Sequence, residues 1–161
     1  MKRPSYLIII LISLISLPLF AGCNEDTIPM TDRTDVQNPS DADTISTQIK
    51  IIIGQETFTA TLIDNKSVHA FLDLLPLTIT MSELNRNEKF FDFADSLPTD
   101  ASRPEAIKTG DLMLYGSRTL VLFYKSFSTS YSYTKLGSID DPSGLETALG
   151  SSNVLVTFEL E

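Results

Sequence analysis

The sequence predicts a mainly β protein, a small closed eight-stranded β-barrel with two short helices. Three observations predict it. About eight segments between Gln48 and Glu161 alternate apolar with polar residues or run as β-branched stretches, each bounded by turn residues. Only two short helical patterns interrupt them, and they do not alternate with strands as a parallel sheet requires. A sheet of this size also removes its own unpaired edges by closing on itself. A two-sheet sandwich is the rival arrangement of the same segments.

The elements follow in order. Ile49, Ile51 and Ile53 alternate with Lys50 and Ile52, Gly54-Gln55 turns, and Thr57 to Leu62 returns as the second arm of a hairpin. Asp64-Asn65 then caps a helix whose Val68, Phe71, Leu72 and Leu75 form one apolar stripe, ended by Pro76. Leu77 to Met81 alternates as a strand, Ser82 to Glu88 reads as a polar turn, and Lys89 to Phe93 as the next strand. Residues 94–110, with Pro98, Pro104 and Gly110, form a long irregular connection. Leu112 to Tyr115 and Thr119 to Tyr124 make a second hairpin around Gly116-Ser117-Arg118. Tyr133 to Ile139 is a strand. Asp141 caps a short helix with Pro142 in its first position and Gly150 at its end, and Val154 to Leu160 is the last strand.

The first 22 residues have a different character. Lys2 and Arg3 precede an apolar run from Leu7 to Phe20 that is short for a membrane span, which needs roughly 20 residues, and suits a secretion signal. Leu19-Phe20-Ala21-Gly22-Cys23 resembles a lipobox, in which the cysteine thiol takes a diacylglycerol after cleavage. Cys23 is therefore the expected lipidation site and first mature residue, held at the cell envelope by two or three acyl chains. The outer membrane, its periplasmic face or the cell surface fits equally. Residues 23–47 are rich in Asp, Thr, Ser and Pro without any period, and read as an acidic flexible tether. The folded domain is then 48–161.

Charge narrows the partners. The chain carries 12 basic and 21 acidic residues, a net charge of −9. An acidic chain without basic clusters is not drawn to nucleic acid. Cys23 is the sole cysteine, so no internal disulfide forms and packing alone must hold the domain.

Chemical motifs are sparse. His69 is the single histidine and reads as a surface or helix-packing residue, so no metal site and no cofactor is expected. No nucleophile-elbow, Walker or dinucleotide-binding run occurs. Asp140-Asp141 is explained by helix capping, and Asp92 with Asp95 as solvated carboxylates at a strand end. One stretch stands out, 125–135, where hydroxyls alternate with Phe127, Tyr131 and Tyr133 in a predicted connection. Aromatic faces beside hydroxyls suit an apolar, planar or peptide-like ligand, although the same pattern fits a hairpin with packed aromatics and solvated serines.

The segments Leu75 to Leu84, Gly110-Asp111-Leu112-Met113-Leu114-Tyr115-Gly116, Leu120 to Tyr124 and Leu136 to Asp141 resemble bacterial cyclophilin-like fold proteins. These are small eight-stranded barrels, often exported or lipid-anchored, and the resemblance spans 48–161. Cyclophilins proper twist prolyl bonds with an arginine beside an aromatic pocket that usually includes histidine and tryptophan. This chain has no tryptophan, and Arg86, Arg103 and Arg118 lie in no matching motif. The sequence is thus read as a membrane-anchored binding module for a small molecule or peptide, with no catalytic residue. Its expected ligand-binding residues are Tyr115, Phe123, Ser126, Phe127, Ser128, Tyr131 and Arg103. The alternative is a divergent peptidyl-prolyl isomerase using Arg103 or Arg118. A subunit of a larger surface assembly is a third possibility and predicts an exposed apolar patch.

Overall fold

Isoleucines at every second position from Ile49 put one side of the first strand inside a core and the other outside it. The same two-residue rhythm recurs around a closed barrel. The computed structural model describes residues 47–161; the expected signal segment, Cys23 and the expected tether up to residue 46 lie outside the described residues. The elements are β1 Thr47–Ile53, β2 Glu56–Leu62, α1 Lys66–Leu72, β3 Leu77–Leu84, β4 Glu88–Asp92, β5 Asp111–Tyr115, β6 Thr119–Phe123, β7 Thr134–Ile139, α2 Leu145–Leu149 and β8 Val154–Leu160. Strand order around the barrel is β1-β2-β7-β5-β6-β4-β3-β8, and β8 returns to β1 through antiparallel pairs from Ile49↔Leu160 to Ile53↔Val156. The expected closed barrel is what forms, and the sandwich does not.

The interior is solid. Ile49, Ile51, Met81, Leu112, Leu114, Leu120, Leu122 and Phe158 are fully buried. α1 links β2 to β3 at one end, where Phe71 meets Phe158 edge-on at 5.7 Å. α2 links β7 to β8 at the other and buries Leu145 and Leu149.

Four local expectations need correction. The apolar stripe of α1 was expected to reach Leu75, but the helix stops at Leu72: the Leu74 and Leu75 amides donate to the Phe71 and Leu72 carbonyls in tighter turns, and Pro76 keeps Leu75 out of helical backbone. Its start is as expected, with Asn65 Oδ1 accepting from the Val68 amide at 2.8 Å. The polar run Ser82 to Glu88 is not one turn. β3 continues to Leu84, β4 begins at Glu88, and only 85–87 turn, with left-handed backbone at Asn85 and Arg86. Tyr124 lies just past the end of β6. Asp141 does not cap α2; its Oδ1 accepts from the Ser143 amide in a separate turn, and hydrogen bonds from the Ser143 hydroxyl and amide hold its carboxyl below the usual range. Gly144, in left-handed backbone, starts α2 instead.

The β3–β4 hairpin is stitched by a buried charge. Lys89 points into the barrel, fully buried, and its ammonium donates to Glu83 and to the carbonyls of Gly150 at 2.9 Å and Ser152 at 2.8 Å. All three of its donors are therefore used. The Tyr124 hydroxyl donates to Glu83 at 2.8 Å, and the Arg86 amide donates to it at 2.9 Å. Burial pushes the Glu83 carboxyl up, but hydrogen bonds from Lys89 and Tyr124 and the Lys89 charge together hold it below its ordinary value. Burial and the Glu83 charge push the Tyr124 phenol up to about 12.

The seam between β2 and β7 is short, with Ala60↔Ile139, Thr61↔Ser138 and Leu62↔Gly137. Gly137 is what lets the strands approach, since a Cβ there would lie 2.9 Å from Leu62 Cα and press on the Thr61 carbonyl. Gly137→Ala is expected to cost about 2–3 kcal/mol in denaturant unfolding, as overpacking of a tight site does. Unchanged stability would show that the seam tolerates separation.

Candidate functional site

Closing the barrel turns half of each strand outward. On β4, β6 and β5 those outward residues include the large apolar Phe90, Val121, Phe123 and Met113 where water would be expected. The register aligns Phe90 with Val121 and Val121 with Met113, while Glu88 lies opposite Phe123 and Asp92 opposite Thr119. Such a face needs cover, and two irregular stretches supply it. The 94–110 connection crosses the 124–133 stretch through paired bridges at Ser102↔Tyr133 and Ile107↔Phe127. The Ser67 hydroxyl donates to the Pro98 carbonyl at 2.6 Å, and the Asp100 amide donates to Thr134 Oγ1 at 2.9 Å, fixing the connection at its start. Beneath this cover lies a second small core of Ile107, Met113, Val121, Phe123 and Tyr133.

The cover ends before the sheet does. The uncovered part is a groove of about 330 Å³. Phe90 and Val121 lie on its sheet side, Tyr115, Tyr131 and Tyr133 along one flank, and Leu84 and Asn85 of the β3–β4 hairpin line it too. Tyr115 meets Tyr131 edge-on at 6.0 Å and Tyr133 at 5.5 Å with a 50° tilt, so the three rings form a corner with faces turned different ways. Glu88 and Asp92 supply the charge.

Glu88 is the unusual member. It is 8% exposed, and burial together with the nearby Glu83 charge pushes its carboxyl above the ordinary range. No hydrogen bond or ion pair to it occurs among the described residues, whereas Asp92 accepts from the Thr119 hydroxyl. Burial and then the Glu88 charge likewise push the Tyr133 phenol up.

The sequence-predicted residues divide. Tyr115, 46% exposed, and Tyr131, 61% exposed, line the groove. Phe123 is fully buried below it, edge-on to Phe127 at 5.7 Å and to Tyr133 at 5.5 Å, and both phenylalanines belong to the covered layer. Ser126 lies apart in a cleft with Pro142 and Glu146, where its Oγ accepts from the Thr109 amide at 3.0 Å. Ser128 is exposed. Arg103 is exposed too, and its Nε donates to the Ser130 carbonyl at 3.2 Å. Arg118, in the β5–β6 turn, does not line the groove either. His69 is a surface residue, 2.8 Å from Asp64. Among the described residues, no cluster of three or more metal-ligating side chains occurs.

A family model described as the cyclophilin-like family matches residues 51–159. The chain belongs to the cyclophilin-like family. Its fold is also similar to the solution structure of a hypothetical protein from Archaeoglobus fulgidus, at 17% identity and a TM-score of 0.56, covering 73% of this chain and 97% of that one. No curated protein sequence matches.

The cyclophilin-like domain thus carries its groove on the outer face of β4, β6 and β5. Glu88 and Phe90 complete a site of which the sequence pointed to Tyr115, Tyr131 and, within the 125–135 aromatic stretch, Tyr133. Glu88 fell at the end of the stretch read as a polar turn, where an acid reads as ordinary solvent exposure.

An acid whose folded pKa is raised contributes stability fully present below its unfolded value and lost as pH rises through the folded value. Ionised Glu88, facing Glu83, Asp92 and the phenols with no cation in the groove, therefore weakens the fold at neutral pH. Glu88→Gln is expected to raise the thermal midpoint by a few degrees at pH 7.5, a gain that shrinks to nothing near pH 4. Equal loss of stability at both pH values would show that the carboxylate is a structural support.

Proposed function

We propose that this protein is a binding module held at the cell envelope by a lipid on Cys23. It presents the outer-face groove of its cyclophilin-like domain to a small molecule. The observation that carries the binding role is the groove itself: an apolar floor and a corner of three tyrosines around a carboxyl that the protein leaves unpaired. Apolar concave sites with few, placed polar groups are the usual form of small-molecule sites. The lipobox-like Leu19 to Cys23 and the acidic tether support the anchor and its reach.

The groove also bears on the isomerase alternative. Its charged side chains are acids, and neither Arg103 nor Arg118 lines it. A proline-peptide assay is expected to run at the uncatalysed rate, with relaxation over tens to hundreds of seconds. Acceleration abolished by Arg103→Ala or Arg118→Ala would overturn the binding role.

Two measurements on the full chain test the rest. Cells fed labelled palmitate should mark the protein, and Cys23→Ser should lose both label and membrane association; labelling unchanged in that variant would contradict the anchor. The chain has no tryptophan, and three of the four tyrosines in the described domain line the groove, so tyrosine emission reports on it. Saturable emission changes with one-ring fragments should appear and be lost in Tyr131→Ala. A flat response across such a panel would count against the site.

A further inference from the structure

Three buried charged side chains occur in the described domain: Glu88, Lys89 and Asp111. Two are fully provided for. Lys89 has a carboxylate and two carbonyls. Asp111 accepts from the Lys108 amide at 2.8 Å and pairs with Lys135 at 3.2 Å. Glu88 has neither a donor nor a counter-charge among the described residues; the residue is more than nine-tenths buried, and its carboxyl opens into the groove. A carboxyl set against apolar surface gains from a partner, and this fold supplies one to each of the other two.

The rest of the groove is suited to one sign of charge. Glu88 and Asp92 line it, and no lysine, arginine or histidine does. They lie on the same outward face of β4, about 13 Å apart along the strand at roughly 3.3 Å per residue. Tyr115, Tyr131 and Tyr133 present ring faces and edges in different directions, and tyrosine faces attract cations within about 6 Å of the ring centroid. Phe90 and Val121 offer apolar surface to an uncharged arm. At about 330 Å³ the groove falls near the low end of small-molecule sites, roughly 300–1,000 Å³, with room for about one ring.

Building on the proposed use of this groove, we infer that its ligand is a small organic ammonium compound. The charged nitrogen sits between the Glu88 carboxyl and the tyrosine corner, and an apolar arm lies on Phe90 and Val121. An anionic ligand would meet two carboxyls, and a neutral one would leave Glu88 unpaired as before.

The test uses the full chain in non-ionic detergent and three one-ring probes: benzyltrimethylammonium, benzyl alcohol and phenylacetate. Titration calorimetry and tyrosine emission give the affinities, and thermal unfolding verifies that each variant is folded. Tyr131 is largely exposed, so Tyr131→Ala alters the groove without opening the core. The cation is expected to bind at least tenfold more tightly than the alcohol, and phenylacetate not at all. Glu88→Gln should weaken the cation about tenfold while leaving the alcohol unchanged, and Tyr131→Ala should weaken both. Equal affinities for cation and alcohol, lost together in Tyr131→Ala, would overturn the ammonium assignment and leave the groove as the site. Cation binding that survives both substitutions, or no binding by any probe, would overturn the assignment and the groove together.

Discussion

Closure of the sheet dictates where everything else can go. Once β8 pairs with β1, the inward half of every strand is committed to one apolar interior. Any apolar side chain on the outward half must then be covered by something other than the sheet. On β4, β6 and β5 that duty falls to two stretches without regular structure, joined by the Ser102↔Tyr133 and Ile107↔Phe127 bridges. They cover Met113 and Phe123 and stop short of Phe90 and Glu88. The groove is the edge of that cover.

Two buried charges on neighbouring positions of β4 show how differently the two faces treat polarity. Lys89 points inward and is met by Glu83 and two carbonyls near the end of α2, so its burial ties the β3–β4 hairpin to the chain that leads into β8. Removing such a partner from a buried pair typically costs about 3–5 kcal/mol. Glu88 points outward into a groove lined by apolar and aromatic side chains and a second acid, with no cation among them. One is a structural tie. The other is a demand the fold does not satisfy, and unsatisfied charge in a concave apolar site is the arrangement binding and catalytic sites use.

Much of the fold was legible because its signal is local. Alternation at Ile49, Ile51 and Ile53, the Asn65 cap and the turn around Gly116 each follow from a few adjacent residues. The misreadings have equally local causes. Ser82 to Glu88 reads as a turn because it is polar, yet Glu83 stays in β3 with its carboxylate held by Lys89 and Tyr124, groups far from it in the pattern. Asp141 precedes a proline as a helix cap would, but spends its oxygen on Ser143. The site was less legible than the fold. Aromatic density found Tyr115 and Tyr131, but the same signal took in Phe123 and Phe127, which pack under the cover. Glu88 was invisible, because the burial of an outward residue depends on the path of non-periodic segments.

Everything assigned to the groove turns on one side chain, Glu88, whose carboxyl stands at the groove without a partner among the described residues. Carbon-detected NMR titration of the glutamate side chains, with Glu88 assigned by its loss in Glu88→Gln, reads this directly. A midpoint clearly above the ordinary glutamate value of about 4.3 is predicted for Glu88, with Glu83 titrating below it. A Glu88 midpoint at or under that value would mean the side chain is hydrated or paired, and the groove would lose the feature on which its assignment depends.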